Sequence, residues 1–178
     1  DEYPTTPLAE GYQGYGVKLV TRKTGPIAQA VNKRIAAGNL FLGSFDPTNA
    51  LTDAMRATHF GVRFDKKPLT FSGWYKYQPG EKFQNQDGSV VDGKQDVGTI
   101  YAILYRNTDE SGLPVTLYGD NVQTSPYIVD IDYQLLSEFG YNLTIVCSSS
   151  TDGAYFQGAV GSTLCVDELT ITCEKEIL

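Results

Sequence analysis

Two aspartates one residue apart are the first candidates for acid–base chemistry in this sequence. Asp130 and Asp132 flank Ile131 in the stretch SPYIVDID. On a strand, such residues face the same way with Cα atoms roughly 6 to 7 Å apart. Glycosidases hold two carboxyl groups about 5 to 9.5 Å apart. Neighbouring carboxylates on a strand more often mark a solvated face or a protected edge, so both interpretations stay open.

The other candidate catalytic residues form no recognisable set. Asp65, Asp96 and Glu168 are unassigned carboxylates, which leaves a hydrolase with an Asp/Glu pair open. A Ser-His-Asp triad would have to use His59, the single histidine, and no G-x-S-x-G motif accompanies it. The glycine-rich stretch GYQGYG at 11–16 lacks the Lys-Ser/Thr of a phosphate-binding loop. We therefore predict no catalytic residues.

Aromatic residues on predicted strands are candidates for binding a sugar. Trp74 would share a strand face with Ser72 and Lys76. A flat ring beside polar groups suits the C–H patches and hydroxyls of a sugar. Tyr101 and Tyr105 alternate along another predicted strand and would form a second platform. The alternative for each ring is packing within the core or across strands. The predicted ligand-binding residues are Trp74, Lys76, Tyr101 and Tyr105.

The segments that carry these residues alternate with period two and are rich in β-branched and aromatic side chains, as strands are. They cover residues 14–21, 60–64, 69–77, 99–106, 125–132, 141–148 and 164–173. Helix is scarce: 26–37 fits a short helix or a strand–loop–strand unit, 49–57 a helical loop and 133–139 a helical turn. Residues 81–96 indicate a long loop or an exposed hairpin. This pattern favours a sandwich or barrel.

Composition narrows the partners and the compartment. The chain has 178 residues, enough for one well-filled core, and its net charge of -7 argues against nucleic acid as a partner. No apolar run is long enough for a transmembrane segment. The chain begins at Asp1 without a start methionine, so we expect an exported protein whose signal peptide is absent here. Cys147, Cys165 and Cys173 cannot all pair internally, and their spacing does not favour zinc.

Four longer motifs resemble the "putative carbohydrate metabolism domain" of Bacteroides-type bacteria. They are FSGWYKYQPG at 71–80, GAYFQGAVGSTLCVDELTI at 153–171, IAAGNLFLGSF at 35–45 and LYGDNVQTSPYIV at 117–129. The resemblance extends from about Tyr12 to about Cys173. It implies a β-sandwich similar to carbohydrate-binding modules and some glycoside hydrolases, in the C-terminal part of secreted lipoproteins. It supplies no catalytic residue. The family mostly has Tyr where this chain has Trp74, a departure that would alter a stacking site.

Asp167 is a candidate metal ligand through the same resemblance. In many jelly-roll sugar binders an Asp of the last strand helps hold a structural calcium ion, which implies the same for Asp167. Ca²⁺ takes about six to eight oxygen ligands, and Glu168 would point to the opposite face. The alternative is that Asp167 accepts backbone hydrogen bonds in a turn or beside the first strand.

These observations predict one all-β domain, 1–178, with the fold of a two-sheet antiparallel jelly-roll sandwich. We expect a non-catalytic carbohydrate-binding module of a periplasmic, outer-membrane or cell-surface protein. Its partners would be an oligosaccharide or polysaccharide and other domains of the same chain. The alternatives are a xylanase- or glucanase-like glycoside hydrolase and a structural or adhesion domain of a surface lipoprotein.

Overall fold

Strands are the main regular structure of this chain. The computed structural model describes residues 3–50, 52–53, 55–129 and 140–174. Within these residues strand accounts for 46% and helix for 6%, which confirms the predicted all-β class. The strands form several antiparallel sheets; the jelly-roll arrangement stays a prediction.

Fifteen strands are described in chain order. Their bounds are β1 Thr5–Leu8, β2 Gly16–Val20, β3 Arg22–Lys23, β4 Ile35–Ala36, β5 Asn39–Phe41, β6 Gly43–Phe45, β7 Thr58–Phe60, β8 Val62–Phe64, β9 Pro68–Gln78, β10 Phe83–Gln84, β11 Thr99–Arg106, β12 Ile128–Val129, β13 Tyr141–Ser148, β14 Gly158–Ala159 and β15 Thr163–Cys173. One α-helix, α1, spans Pro26–Ala30, and a 3-10 helix spans Thr151–Tyr155.

Two sheets carry the long strands. One has the order β1-β2-β15-β9, and the other has the order β12-β11-β13-β5 with β8 also paired to β13. In the first sheet β1 pairs with β2 from Thr5↔Leu19 to Leu8↔Gly16, and β15 pairs with β2 from Thr163↔Val20 to Val166↔Val17. Three two-stranded ribbons, β10-β14, β3-β4 and β6-β7, complete the described sheets.

The strand predictions hold best where apolar alternation is strong. The segments 99–106 and 141–148 match β11 and β13 in full; 69–77 is one residue short of β9 at each end, and 164–173 is one residue short of β15 at its start. The segment 26–37 divides into α1 and β4, because the helix ends at Val31 and Asn32 takes a left-handed φ of 58°. Residues 49–57 form turns where described, and 133–139 lie outside the described residues.

The chain divides into two compact units. Unit 1 is Asp1–Leu40, Gly73–Ile100 and Val146–Leu169; unit 2 is Phe41–Ser72, Tyr101–Ile145 and Thr170–Leu178. The single-domain boundary 1–178 stays a prediction.

Each unit has its own buried side chains. In unit 1 the largest fully buried apolar ones are Phe83, Leu19, Ile35 and Leu164. Unit 2 contains two described clusters, one around Leu104, Tyr141 and Leu143 and the other around Tyr105, Leu117 and Val122. All three cysteines are free thiols; burial raises the pKa of Cys147, which lies in unit 1, to about 11.

Candidate functional site

The loop between β1 and β2 places two tyrosines on the surface of unit 1. Leu8 pairs with Gly16 where the two strands end, so residues 9–15 form the connection. Inside the loop the Gly11 N–H donates to the Gly14 carbonyl at 2.8 Å, and Gly14 has a φ of +76° that favours glycine. Tyr12 and Tyr15 are 59% and 77% exposed. The glycine-rich stretch GYQGYG is therefore a tight turn that displays aromatic rings.

Asp167 of β15 holds this loop. Its Oδ2 accepts the backbone N–H of Gln13 at 3.0 Å, and its Oδ1 accepts the backbone N–H of Glu168 at 2.8 Å. Hydrogen bonds from the backbone of Gln13, and to a lesser degree of Glu168 and Tyr12, hold the pKa of Asp167 below its ordinary value. A Cβ on Gly11 would lie 2.4 Å from Asp167 Oδ2, so the close approach requires glycine there.

Tyr12 and Trp74 form a stacked pair. Their ring centroids lie 4.0 Å apart with planes inclined by 17°. Trp74, on β9, is 53% exposed, so the pair keeps more than half of each side chain in solvent. Aromatic pairs contribute about 0.5 to 1.5 kcal/mol beyond their area burial. The stacking fixes the relative orientation of two rings that remain accessible.

The strand beside the pair carries a backbone irregularity. Glu168 has a φ of 50° in the middle of β15, a left-handed conformation that is strained for a non-glycine residue. Across from it, β9 carries Gly73, where an added Cβ would lie 2.6 Å from the Leu169 side chain. Irregularities of this kind in strands occur preferentially at sheet edges and beside functional sites. The strained residue here adjoins both Asp167 and the strand of Trp74.

We refer to Tyr12, Trp74 and Asp167, with the loop 9–15 and the turn of β15 at Glu168, as the ring platform. All of it lies in unit 1. Lys76, predicted as a ligand-binding residue, is exposed on β9 and falls on the Trp74 face of the strand by alternation. Tyr75, 70% exposed, falls on the opposite face.

The predicted second platform is corrected by the burial of Tyr105. This side chain is 2% exposed, belongs to a core cluster of unit 2 and donates its hydroxyl to the Phe60 carbonyl at 2.6 Å. A ring enclosed in this way has no free face for a sugar. Tyr101 is partly buried and packs against the same cluster. These tyrosines follow the cross-strand packing interpretation.

Asp167 as a calcium ligand stays a prediction. Both of its oxygens receive backbone N–H groups, and a calcium ion would need further oxygen ligands beside them. Among the described residues, no group of three or more His, Cys, Asp or Glu side chains could hold a metal ion. The contacts agree with the alternative interpretation, in which Asp167 accepts backbone hydrogen bonds.

The candidate acid–base residues do not form a described pair. Asp130 and Asp132 lie outside the described residues. Asp65 is exposed, while Asp96 is 3% exposed and tied into unit 1. Asp96 Oδ2 accepts hydrogen bonds from the Ser150 and Ser162 hydroxyls and the Ala159 N–H at 2.6 to 2.7 Å. Its Oδ1 accepts the Val97 N–H at 2.9 Å. A carboxylate so enclosed holds the fold rather than meeting a substrate.

Sequence reasoning missed Tyr12 and the role of its loop. The signal available was the pairing of glycines at 11, 14 and 16 with tyrosines at 12 and 15. The partner of the loop, Asp167, lies 154 residues from Gln13 along the chain. Only the β2–β15 pairing brings the two together.

Comparison with known proteins places the chain among carbohydrate-related proteins. The model of the "Putative carbohydrate metabolism domain" family matches residues 1–138 and 130–172. A crystal structure of a "putative glycoside hydrolase" from Bacteroides thetaiotaomicron is 39% identical with a TM-score of 0.87, covering 98% of this chain and 58% of that one.

A second "putative glycoside hydrolase", from Bacteroides vulgatus, is 35% identical with a TM-score of 0.82, covering 96% of this chain and 78% of that one. This chain therefore spans little more than half the length of the first of these relatives. No curated protein matches it significantly.

Proposed function

The chain belongs to the putative carbohydrate metabolism domain family, and from that premise we propose that it is a non-catalytic carbohydrate-binding module whose ligand stacks on the ring platform. The observation that carries the proposal is the Tyr12–Trp74 pair: two parallel rings, each more than half exposed, in a chain of a carbohydrate-related family. Sugar rings present C–H patches that pack on such flat surfaces.

Two features favour a binding role over simple packing. Trp74 is the single tryptophan of the chain, and 53% of it remains in water although burial of a large aromatic side chain is strongly favourable. The loop that covers one of its faces is held by the hydrogen bond from Gln13 to Asp167 and by the hydrogen bond from Gly11 to Gly14. The protein thus orders a ring pair that it does not bury, as a pre-formed ligand surface requires.

The charges around the platform favour a neutral glycan. Glu10 in the loop, Asp167 and Glu168 are acidic, and Lys76 on the adjoining strand is the basic residue of the predicted set. With a net charge of -7 on the chain, sulfated or uronic-acid polymers would be repelled at low salt. We expect neutral plant or microbial polysaccharides to bind more tightly than anionic ones.

Affinity electrophoresis against a panel of neutral and anionic polysaccharides tests this proposal. We expect retardation by at least one neutral polymer, lost in Trp74→Ala and reduced in Tyr12→Ala. Tyr75→Ala is the matched control, because it removes a more exposed ring from the opposite face of the same strand. Binding that is insensitive to Trp74→Ala, or lost equally in Tyr75→Ala, would place the ligand elsewhere.

A glycoside hydrolase is the second candidate, favoured by the description of both structural relatives as putative glycoside hydrolases. It would need two carboxyl groups at the separations of retaining or inverting enzymes, and Asp130 with Asp132 is the pair that sequence spacing offers. Incubation of the chain with each polysaccharide that it binds, followed by assay of new reducing ends, separates the two functions. We expect no release; release abolished by Asp130→Asn would establish the hydrolase instead.

We place the module on an exported envelope protein, joined to other domains of a longer chain. Support comes from the Bacteroides relatives and from the greater length of the first of them. In the described part of the chain no helix is long and apolar enough to cross a membrane. Surface labelling of intact cells with an antibody against this chain tests the location: we expect signal on unpermeabilised cells, and signal only after lysis would contradict it.

A further inference from the structure

We propose that Asp167 is the positioning residue of the ring platform: its carboxylate fixes the loop 9–15 so that Tyr12 stacks on Trp74. The inference deepens the proposed function and, as far as it concerns sugar affinity, rests on it. The geometry that carries it is independent of any ligand, because it consists of hydrogen bonds within unit 1.

The first step is that one carboxylate serves two backbone segments. Oδ2 accepts the N–H of Gln13, directly after Tyr12, while Oδ1 accepts the N–H of Glu168. The backbone of Tyr12 contributes a further hydrogen bond that lowers the pKa of Asp167. A single acceptor group therefore holds the tyrosine's own segment and the strained residue of β15 together.

The second step is that the backbone at Gly11 and Gly16 lies too close to β15 for a larger residue. A Cβ on Gly11 would lie 2.4 Å from Asp167 Oδ2, and a Cβ on Gly16 would lie 2.9 Å from the Val166 carbonyl and 3.5 Å from Asp167 Cβ. Any other residue at either position would push the loop away from β15. Within the loop the Gly11 N–H donates to the Gly14 carbonyl, and the carboxylate of Asp167 joins the backbone next to Tyr12 to β15.

The third step concerns the chemistry of the acceptor. A carboxylate accepts at both oxygens, whereas an asparagine amide accepts at one and donates at the other. Asp167→Asn therefore keeps the size of the side chain and loses one of the two backbone contacts. Hydrogen bonds to a charged acceptor are about twice as strong as neutral ones, so the remaining contact weakens as well. Tyr12 would then leave Trp74 for part of the time.

Trp74 fluorescence is the direct readout, because the chain contains one tryptophan. We would compare the emission of the ligand-free wild type, Asp167→Asn, Tyr12→Phe and Tyr12→Ala. Asp87→Asn is the control: Asp87 is a more exposed aspartate of unit 1 that likewise accepts a backbone N–H, from Ser89 at 2.9 Å, and its hydrogen bonds with Ser89 likewise lower its pKa. Circular dichroism confirms that each variant folds.

We expect the wavelength of maximum Trp74 emission in Asp167→Asn to shift toward its value in Tyr12→Ala. The same wavelength in Asp87→Asn and Tyr12→Phe should match the wild type. Polysaccharide affinity should fall about tenfold in Asp167→Asn. An unchanged emission in Asp167→Asn overturns the positioning role even where the wild type binds sugar. A shifted emission in a protein that binds no polysaccharide supports the positioning role and removes the proposed function. If added Ca²⁺ changes the Trp74 emission of the wild type but not that of Asp167→Asn, Asp167 is a metal ligand instead.

Discussion

Asp96 and Asp167 are both aspartates of unit 1 that accept a hydrogen bond from a backbone N–H distant in sequence, yet their structural roles differ. Asp96 is 3% exposed and accepts four hydrogen bonds from residues spread between 97 and 162. Asp167 is partly buried and accepts two backbone N–H groups, one from Gln13 in a surface loop and one from Glu168. Asp96 therefore has more contacts and is more deeply buried.

The difference shows that burial determines whether a hydrogen-bonded carboxylate contributes to the stability of the fold or mainly to the conformation of one loop. Donors left unpaired in the interior cost the full desolvation of each group, whereas donors left unpaired at the surface turn to water. Asp96 therefore holds the fold of unit 1. The contacts of Asp167 add little to global stability and act mainly on the conformation of one loop, which is what a binding site needs.

Removal of Asp96 is expected to give the largest effect. Asp96→Asn would set an amide N–H₂ against the fixed Ala159 N–H or Val97 N–H and lose the charge that the Ser150 and Ser162 hydroxyls satisfy. We expect a loss of about 3 kcal/mol or more in the free energy of unfolding. Chemical denaturation followed by circular dichroism measures it, with Asp167→Asn as the surface counterpart, expected to lose much less stability than Asp96→Asn. Equal losses of stability in Asp96→Asn and Asp167→Asn would contradict the different roles assigned to the two aspartates.

Gly158 tests whether the space around Asp96 is as closed as its contacts indicate. Gly158 has a φ of 151°, and an added Cβ would lie 2.5 Å from the Ser150 hydroxyl and 3.0 Å from Asp96 Oδ2. Gly93, with a φ of +75° and no neighbour within 4 Å of an added Cβ, isolates the backbone strain. We expect Gly158→Ala to lower the free energy of unfolding by roughly 2 to 4 kcal/mol and Gly93→Ala by about 1. Equal losses in Gly158→Ala and Gly93→Ala would mean that the residues around Asp96 can move to accommodate the added methyl group.

Acidification should act on the ring platform through Asp167. Backbone hydrogen bonds from Gln13 and Glu168 hold the pKa of Asp167 in the folded protein below its ordinary value, so its ionised form stabilises the loop at neutral pH, and this contribution is lost as pH falls through the lowered pKa. We expect the emission of Trp74 to stay constant from neutral pH to about 4 and to change below it. Asp167→Asn should remove that transition and Asp87→Asn should keep it. A transition of the same size in Asp167→Asn would assign it to other carboxylates.

The sequence predicted the long strands well because their alternation is a local property. β11 and β13 repeat apolar residues at period two, and their bounds followed from that pattern alone. Trp74 was also identified on a strand with Lys76, and its exposure agrees with a surface role. The family was confirmed by the match over most of the chain.

The parts that escaped prediction depend on contacts between distant residues. Ser149 and Ser150 are polar yet fully buried, because Thr21 and Asp96 supply hydrogen-bond partners from elsewhere in unit 1. Tyr105 could be a platform or a core residue by spacing, and only the Phe60 carbonyl and its cluster decide between them. Local patterns give strands and faces; they do not give the partner across the sheet.

Titration of the chain with a polysaccharide that retards it, followed through the emission of Trp74, tests the central claim most directly. The emission comes from one residue of the ring platform, so a ligand that stacks there must change it. We predict a saturable change whose midpoint matches the affinity measured by calorimetry, and in Tyr12→Ala a change that requires higher ligand concentrations. Calorimetric binding with an unaltered Trp74 emission would show that the sugar binds elsewhere on the protein.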